Sequence, residues 1–279
     1  MNTDISNFLA SFPYAASTRR TYEDVLSRIF AGSQDPAKMT ASDLLEILGS
    51  SGWGNKRQCL ALAAVQKFLR WKFGDSHSGL SARIKRIRGK VQPALKPDEA
   101  LKLLASFDPY TAKGARDLAL CLLALDTGLR ASELCRLEAQ YVSLERGVLQ
   151  VIVKGGQWAT AIFCAATAAH IDRWLQYRIT AEPALFVNIG TRQPLTPEGL
   201  NQIVRQWGLQ IGIKLSPHMF RRSGATFASL MGANEHALML GWRWDDPAMA
   251  RLYTFTMQLE AAMRPYSPVE GLLSGRLSQ

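Results

Sequence analysis

A single stretch of this chain reads as β-structure, and it lies between long runs of helical pattern. Val148-Leu149-Gln150-Val151-Ile152-Val153 is short and rich in β-branched residues. Lys154-Gly155-Gly156-Gln157 follows with turn residues, and Ala159-Thr160-Ala161-Ile162-Phe163 is the return strand. The glycines can take the positive φ that a tight turn needs, so the segment predicts a β-hairpin. One hairpin among helices predicts a mainly α fold with a small antiparallel β-sheet.

The helical pattern comes in pieces. Apolar positions recur at helical spacing from Thr18 to Phe30, with Ser17 as N-cap. Thr40 starts a second helix with Asp43 three residues on, and Asn55–Phe73 is a long third one with a basic rim. Residues 74–79 break the pattern. Pro97 suits a first helical turn and is followed by helices over Asp98–Ser106, Gly114–Thr127 and Ala131–Leu137, the middle one ending at Gly128. After the hairpin, helices are expected over 165–180, 197–210, 217–231, 234–241 and 246–255, and residues 256–279 read as a tail. Pro93 and Pro97 punctuate a boundary. The expected division is a helical domain over 1–91, a linker at 92–96 and a second domain over 97–279.

Charge separates the two parts. Residues 1–90 carry 14 Lys and Arg against 7 Asp and Glu, whereas 91–279 carry 19 against 16. Basic side chains displace counterions from phosphate backbones, so the first part suits a polyanion. Within it, Ala82-Arg83-Ile84-Lys85-Arg86-Ile87-Arg88-Gly89-Lys90 reads either as a strap across a phosphate backbone or as a solvated linker. The four cysteines (Cys59, Cys121, Cys135 and Cys164) have no metal-ligand spacing and are expected as reduced, buried thiols. The first residues lack the pattern of a secretory signal. No run reaches the roughly 18 apolar residues of a membrane helix. The expectation is a cytoplasmic, nucleoid-associated protein with no membrane contact.

Transesterification at a phosphodiester needs a nucleophile, cationic donors for the non-bridging oxygens and a proton for the leaving oxygen. Arginine suits the second role because its planar fork stays charged and can hold phosphate oxygens in pairs. Histidine can move a proton near neutral pH. In chain order this sequence offers Thr127-Gly128-Leu129-Arg130-Ala131-Ser132-Glu133-Leu134, Val153-Lys154-Gly155-Gly156, His218-Met219-Phe220-Arg221-Arg222-Ser223, Leu240-Gly241-Trp242 and Tyr253.

With these boxes the chain resembles the tyrosine recombinase family, phage-integrase-like and Xer-like, over most of 97–255. The resemblance implies that Arg130 and Arg221 clamp the scissile phosphate and that Glu133 supports the site from behind. Lys154 becomes the general acid, and His218 handles the tyrosine proton. Tyr253 becomes the nucleophile that forms a 3′-phosphotyrosyl link. The family's Leu-Gly-His/Trp donor falls on Trp242, which Leu240-Gly241 precedes. The family usually has nine residues from that donor to the tyrosine; Trp242 to Tyr253 is eleven and Trp244 to Tyr253 is nine, so Trp244 remains the alternative donor.

The resemblance further implies a two-domain clamp on double-stranded DNA, with a SAM-like helical core-binding domain and an α+β catalytic domain. DNA contacts are expected from Lys56, Arg57, Arg83, Lys85, Arg86, Arg88 and Arg222. It implies a homotetramer on two DNA sites, a Holliday junction, and tail exchange between protomers through Leu259, Met263, Leu272 and Leu273. The implied chemistry uses neither metal nor ATP and serves integration, excision, transposition or resolution of DNA. A relaxing topoisomerase of the same chemical type and a DNA-binding regulator without cleavage are the alternative functions.

Overall fold

The computed structural model describes residues 2–31, 35–87, 93–153, 156–248 and 251. The chain divides into two compact units, residues 1–90 and 91–279.

The first unit is built from helices α1 (Asn2–Ala10), α2 (Ala16–Ile29), α3 (Ala41–Ser50) and α4 (Asn55–Phe73). Thr40 and Asp43 start α3 by reciprocal capping: the Asp43 amide donates to Thr40 Oγ1 at 3.2 Å, and the Thr40 amide donates to Asp43 Oδ2 at 2.8 Å. Helix α4 stops at Gly74, whose φ of +84° suits glycine. Its apolar face buries Val65, Phe68 and Leu69 against Phe8 of α1 and Leu26 of α2. The Phe8 and Phe68 rings meet edge to face at 5.6 Å. Two expectations change here. Helix α1 was not anticipated. Ser17 lies inside α2, whose N-cap is Ala15 and carries no side-chain cap.

The second unit holds α5 (Pro97–Ala105), α6 (Ala112–Thr127), α7 (Ala131–Arg136), α8 (Ala165–Tyr177), α9 (Pro197–Ile211), α10 (Pro217–Leu230) and α11 (Glu235–Trp242). Strands β1 (Val142–Ser143), β2 (Val148–Ile152) and β3 (Trp158–Ile162) form an antiparallel sheet in that order. Leu149 pairs with Val142 on one side and Ala161 on the other, and Leu149, Val151 and Ala161 point into the core. The fold is mainly α with a small antiparallel sheet, and the sheet has one more strand than the hairpin predicted.

Helix α6 is the axis of this unit. It is apolar on most sides, as expected of a helix enclosed by neighbours, and packs against α8 and α10. Its one buried carboxylate, Asp117, is fully used: Arg116, Lys113 and the Trp207 indole all donate to it. Because α6 is fixed on all sides, the turn at its C-terminal end is fixed as well, and the candidate site is built on that turn.

Candidate active site

Helix α6 ends at Gly128, whose φ of +57° is left-handed. Any Cβ here would also lie 2.2 Å from Nε1 of Trp242, so both the dihedral and the space demand glycine. The turn delivers Arg130 to the N-cap of α7. Glu133, one turn on and 3% exposed, accepts from the Arg130 amide at 2.8 Å through Oε2 and from Arg130 Nη1 at 2.7 Å through Oε1. A carboxylate this buried needs a partner, and Arg130 supplies two donors. The Arg130 side chain keeps 40% of its surface exposed, so the pair fixes the guanidinium without enclosing it.

Helix α10 brings the second arginine. It starts at Ser216 with Pro217 in its first turn, and His218 sits exposed beside that proline. Arg221 is one turn further along and 2% exposed. Its Nη1 donates to the carbonyl of Gly128 and its Nη2 to the carbonyl of Trp242. The face of its guanidinium lies 5.5 Å from the Trp244 ring centre. His218 and Arg221 are three apart and share a helix face. The sequence-expected arginines therefore meet at one turn: Arg130 leaves it, and Arg221 holds it.

Trp242 departs from its expected role. Its indole nitrogen donates to the carbonyl of Arg221 at 2.9 Å, and the residue is 7% exposed. An indole has a single N–H, and in this structure it is spent on the Arg221 carbonyl. Gly224 makes room for the ring, since a Cβ there would come within 3.1 Å of Trp242 Cζ2 and 2.0 Å of the Leu125 carbonyl.

Sequence reasoning missed Arg243. It follows Trp242, caps α11 and has a φ of +54° without being glycine. Nη2 donates to the carbonyl of Thr127 at 2.9 Å and Nη1 to that of Gly241 at 3.0 Å. Burial lowers the pKa of this guanidinium, Glu133 nearby raises it and Arg130 lowers it, so Arg243 stands within the electrostatic reach of the Arg130–Glu133 pair. No local pattern in the sequence marks it, because its partner at Thr127 lies 116 residues away.

Lys154 and Tyr253 lie outside the described residues, as do Arg88, the tail 256–279 and most of the helix expected over 246–255. Among the other expected DNA contacts, Lys56, Arg57, Arg83, Lys85 and Arg86 are exposed. The Asn55 amide joins two of these groups: Nδ2 donates to the Lys85 carbonyl at 2.9 Å, and Oδ1 accepts from the Ile87 amide at 2.8 Å. The basic segment is thereby clipped beside Lys56 and Arg57. Arg57 is itself engaged, 2.7 Å from Asp24 and 4.8 Å from the Trp53 ring centre.

Arg222 is a correction. Expected at the surface, it is 5% exposed and donates from Nε to the carbonyl of Pro93 at 3.2 Å. Cys164 is a second correction, being exposed, whereas Cys121 and Cys135 are buried. Among the described residues there is no group of three or more His, Cys, Asp or Glu that could hold a metal ion, and no helix is long and apolar enough to cross a membrane.

The second unit thus joins a buried acid behind one arginine, a second arginine gripping the same turn and a His-x-x-Arg helix start. Residues 93–258 match the phage integrase family, and the chain belongs to that family, the tyrosine recombinases; as an enzyme it is a site-specific tyrosine recombinase. It is similar to tyrosine recombinase XerA of Pyrococcus horikoshii, with 26% identity over 284 residues that span 99% of this chain and 98% of that protein. In fold it is similar to the Tn1549 transposon integrase in complex with transposon right end DNA (TM-score 0.73, 16% identity, 95% of this chain and 98% of that one). It is also similar to the XerH site-specific recombinase bound to palindromic difH substrate (TM-score 0.67, 20% identity, 88% of this chain and 77% of that one).

Proposed function

We propose that this recombinase cuts and rejoins double-stranded DNA through a 3′-phosphotyrosyl intermediate on Tyr253. The observation that carries the reading is the meeting of Arg130, backed by buried Glu133, with Arg221 at the Gly128 turn. In the reaction the Tyr253 oxygen bonds to phosphorus while the bond from phosphorus to the 5′ oxygen breaks. His218 takes the phenol proton, and Lys154 gives a proton to the departing 5′ oxygen. Arg130 and Arg221 hold the non-bridging oxygens as charge builds on them. One phosphoester replaces another, so the bond energy is kept for rejoining, and the cycle draws on neither ATP nor a metal.

The exposed basic residues of the first unit grip the phosphate backbone, with Lys56, Lys85 and Arg86 assembled by the Asn55 clip. A homotetramer on two DNA sites then exchanges strands in pairs through a Holliday junction, with residues 256–279 reaching a neighbouring protomer. Trp244, nine residues ahead of Tyr253 and so at the family's usual spacing, is the alternative to Trp242 as the indole donor.

A nicked substrate that releases the 5′ fragment after cleavage traps the covalent product. The wild-type protein should give a DNA adduct that maps to Tyr253, and Tyr253→Phe should bind the same DNA and give none. Binding without any adduct from the wild-type protein would replace this reading with that of a DNA-binding regulator.

A further inference from the structure

Two helices end against each other in the second unit, and two arginines occupy the gap. A helix C-terminus leaves carbonyl oxygens without partners and carries the negative end of the helix dipole. At the end of α6 the carbonyls that accept from these arginines are those of Thr127 and Gly128; at the end of α11 they are those of Gly241 and Trp242. Arg221 spans Gly128 and Trp242. Arg243 spans Thr127 and Gly241. Each guanidinium therefore has one hand on the turn that launches Arg130 and one hand on the end of α11, and the two clasps lie one residue apart on both helices.

We propose that Arg243 is a positioning residue for strand cleavage, the second clasp that fixes the Arg130 turn against the end of α11 from which the chain continues to Tyr253. The inference rests on the cleavage chemistry proposed above and adds a residue to it. Three features set Arg243 apart from an ordinary helix cap. Its backbone takes a left-handed conformation that glycine fills more easily, so the side chain is what holds the position. Its Nε is buried without a hydrogen-bond partner among the described residues, the mark of a group placed for the two carbonyls it spans. Its charge interacts with both Glu133 and Arg130.

The physical argument concerns the phosphate. Two helix C-termini side by side put negative potential where a phosphodiester must sit if Arg130 and Arg221 are to hold it. Arg243 offsets that potential from behind and stops the two ends from separating. A phosphate clamp that shifts by a fraction of an ångström loses alignment between nucleophile, phosphorus and leaving oxygen. Removing Arg243 should therefore slow the cleavage step while leaving the grip of the first unit on DNA intact.

The test is single-turnover cleavage of the nicked substrate at saturating DNA, with the dissociation constant and melting curve measured in parallel. Arg243→Gly tolerates the backbone conformation and removes the whole side chain, guanidinium included. It should cleave about 100-fold more slowly than wild type, with a dissociation constant within about twofold. Arg243→Lys keeps a charge but has one ammonium for two carbonyls, so it should recover part of the rate. Millimolar guanidinium added to the glycine variant should also restore part of it. Wild-type rates in Arg243→Gly would overturn the inference, and so would a weakened affinity with the rate intact, which would make Arg243 a DNA ligand. If the glycine variant lacks a cooperative melt, the lysine variant decides: a rate within about twofold of wild type overturns the inference. Absence of an adduct from the wild-type protein overturns the cleavage reading itself and this role with it; a wild-type adduct alongside an undiminished glycine variant overturns this role alone.

Discussion

The Trp242 indole donates to the carbonyl of Arg221 at 2.9 Å, and the Arg221 guanidinium donates back to the carbonyl of Trp242. The two residues lie on α10 and α11 and hold each other through opposite ends, side chain to backbone in both directions. Trp242→Phe removes one arm of this exchange and leaves a gap in the slot kept open by Gly128 and Gly224. Stability should fall by about 2 kcal/mol, combining a lost hydrogen bond with incomplete packing. Urea denaturation reads this as a lower midpoint at unchanged slope. A midpoint equal to wild type would show that the exchange contributes nothing to holding α10 on α11.

Gly128 is under two constraints at once, a left-handed backbone and an indole 2.2 Å from where a Cβ would stand. The dihedral alone costs about 1 kcal/mol for alanine, and the collision displaces Trp242 and, with it, Arg221. Gly128→Ala should therefore lose about 3 kcal/mol or more, a large fraction of a domain's stability. Gly156 has a φ of +78° but nothing among the described residues within 4 Å of where a Cβ would stand, so Gly156→Ala should cost only the backbone term. Thermal melts of the two variants side by side separate strain from collision, and equal losses would contradict the indole contact.

Much of this arrangement was legible in the sequence, for reasons that can be named. Thr40 with Asp43, Pro97, and Gly128 after an apolar run are local signals, set within one helical turn, and the helices they bound are present. The hairpin was visible because β-branched residues flank a glycine turn. Helix α1 offered only Ile5, Phe8 and Leu9 as an apolar stripe, too short a window for periodicity to register. Strand β1 is two residues long and exists only by pairing with β2.

Burial of Arg222 depends on the segment at Pro93 folding back onto α10, a contact 129 residues apart. The hydrogen bond of Trp242 and the clasp of Arg243 are likewise tertiary. A box of matching residue types in the sequence names the chemistry available at a site. It does not say which donors are already committed to the backbone.

Glu133 couples the fold to the chemistry. Its two oxygens take the amide and the guanidinium of Arg130. In Glu133→Gln one acceptor survives, but an amide NH₂ now faces the arginine donors. With Arg130 40% exposed, water softens the loss, and the stability cost should be about 1–2 kcal/mol. Cleavage at saturating DNA should slow by about 10- to 100-fold, less than removal of the Arg130 donor itself would cause. A cleavage rate that survives Glu133→Gln unchanged would mean that Arg130 needs no support to hold its position.

The thiols divide by environment. Burial pushes Cys121 strongly up and Cys135 up to about 12, with Glu198 adding to the second and Arg136 opposing it. A thiol whose folded value lies above its unfolded value near 9 favours the folded state while it stays protonated. That contribution is present below pH 9 and is lost as pH rises toward 12. At pH 8 a thiol reagent should modify exposed Cys164 in the native protein, while Cys121 and Cys135 react only after unfolding. Peptide mapping after brief labelling distinguishes them, and early label on Cys121 would contradict an enclosed α6.

The corrected place of Arg222 makes the DNA-grip proposal separable from stability. Lys85 and Arg86 are exposed on a segment clipped to the start of α4, free of the ion pair that engages Arg57. If both meet phosphates, alanine at both positions should weaken binding and reduce the slope of log affinity against log salt by about 2. Arg222→Ala should leave that slope unchanged, because its guanidinium is buried against the Pro93 carbonyl, yet it should lower the melting temperature by leaving that carbonyl without its donor. Fluorescence anisotropy with a duplex at several salt concentrations gives both slopes. A slope altered by Arg222→Ala and untouched by the Lys85 and Arg86 pair would move the DNA contact off the first unit and onto α10.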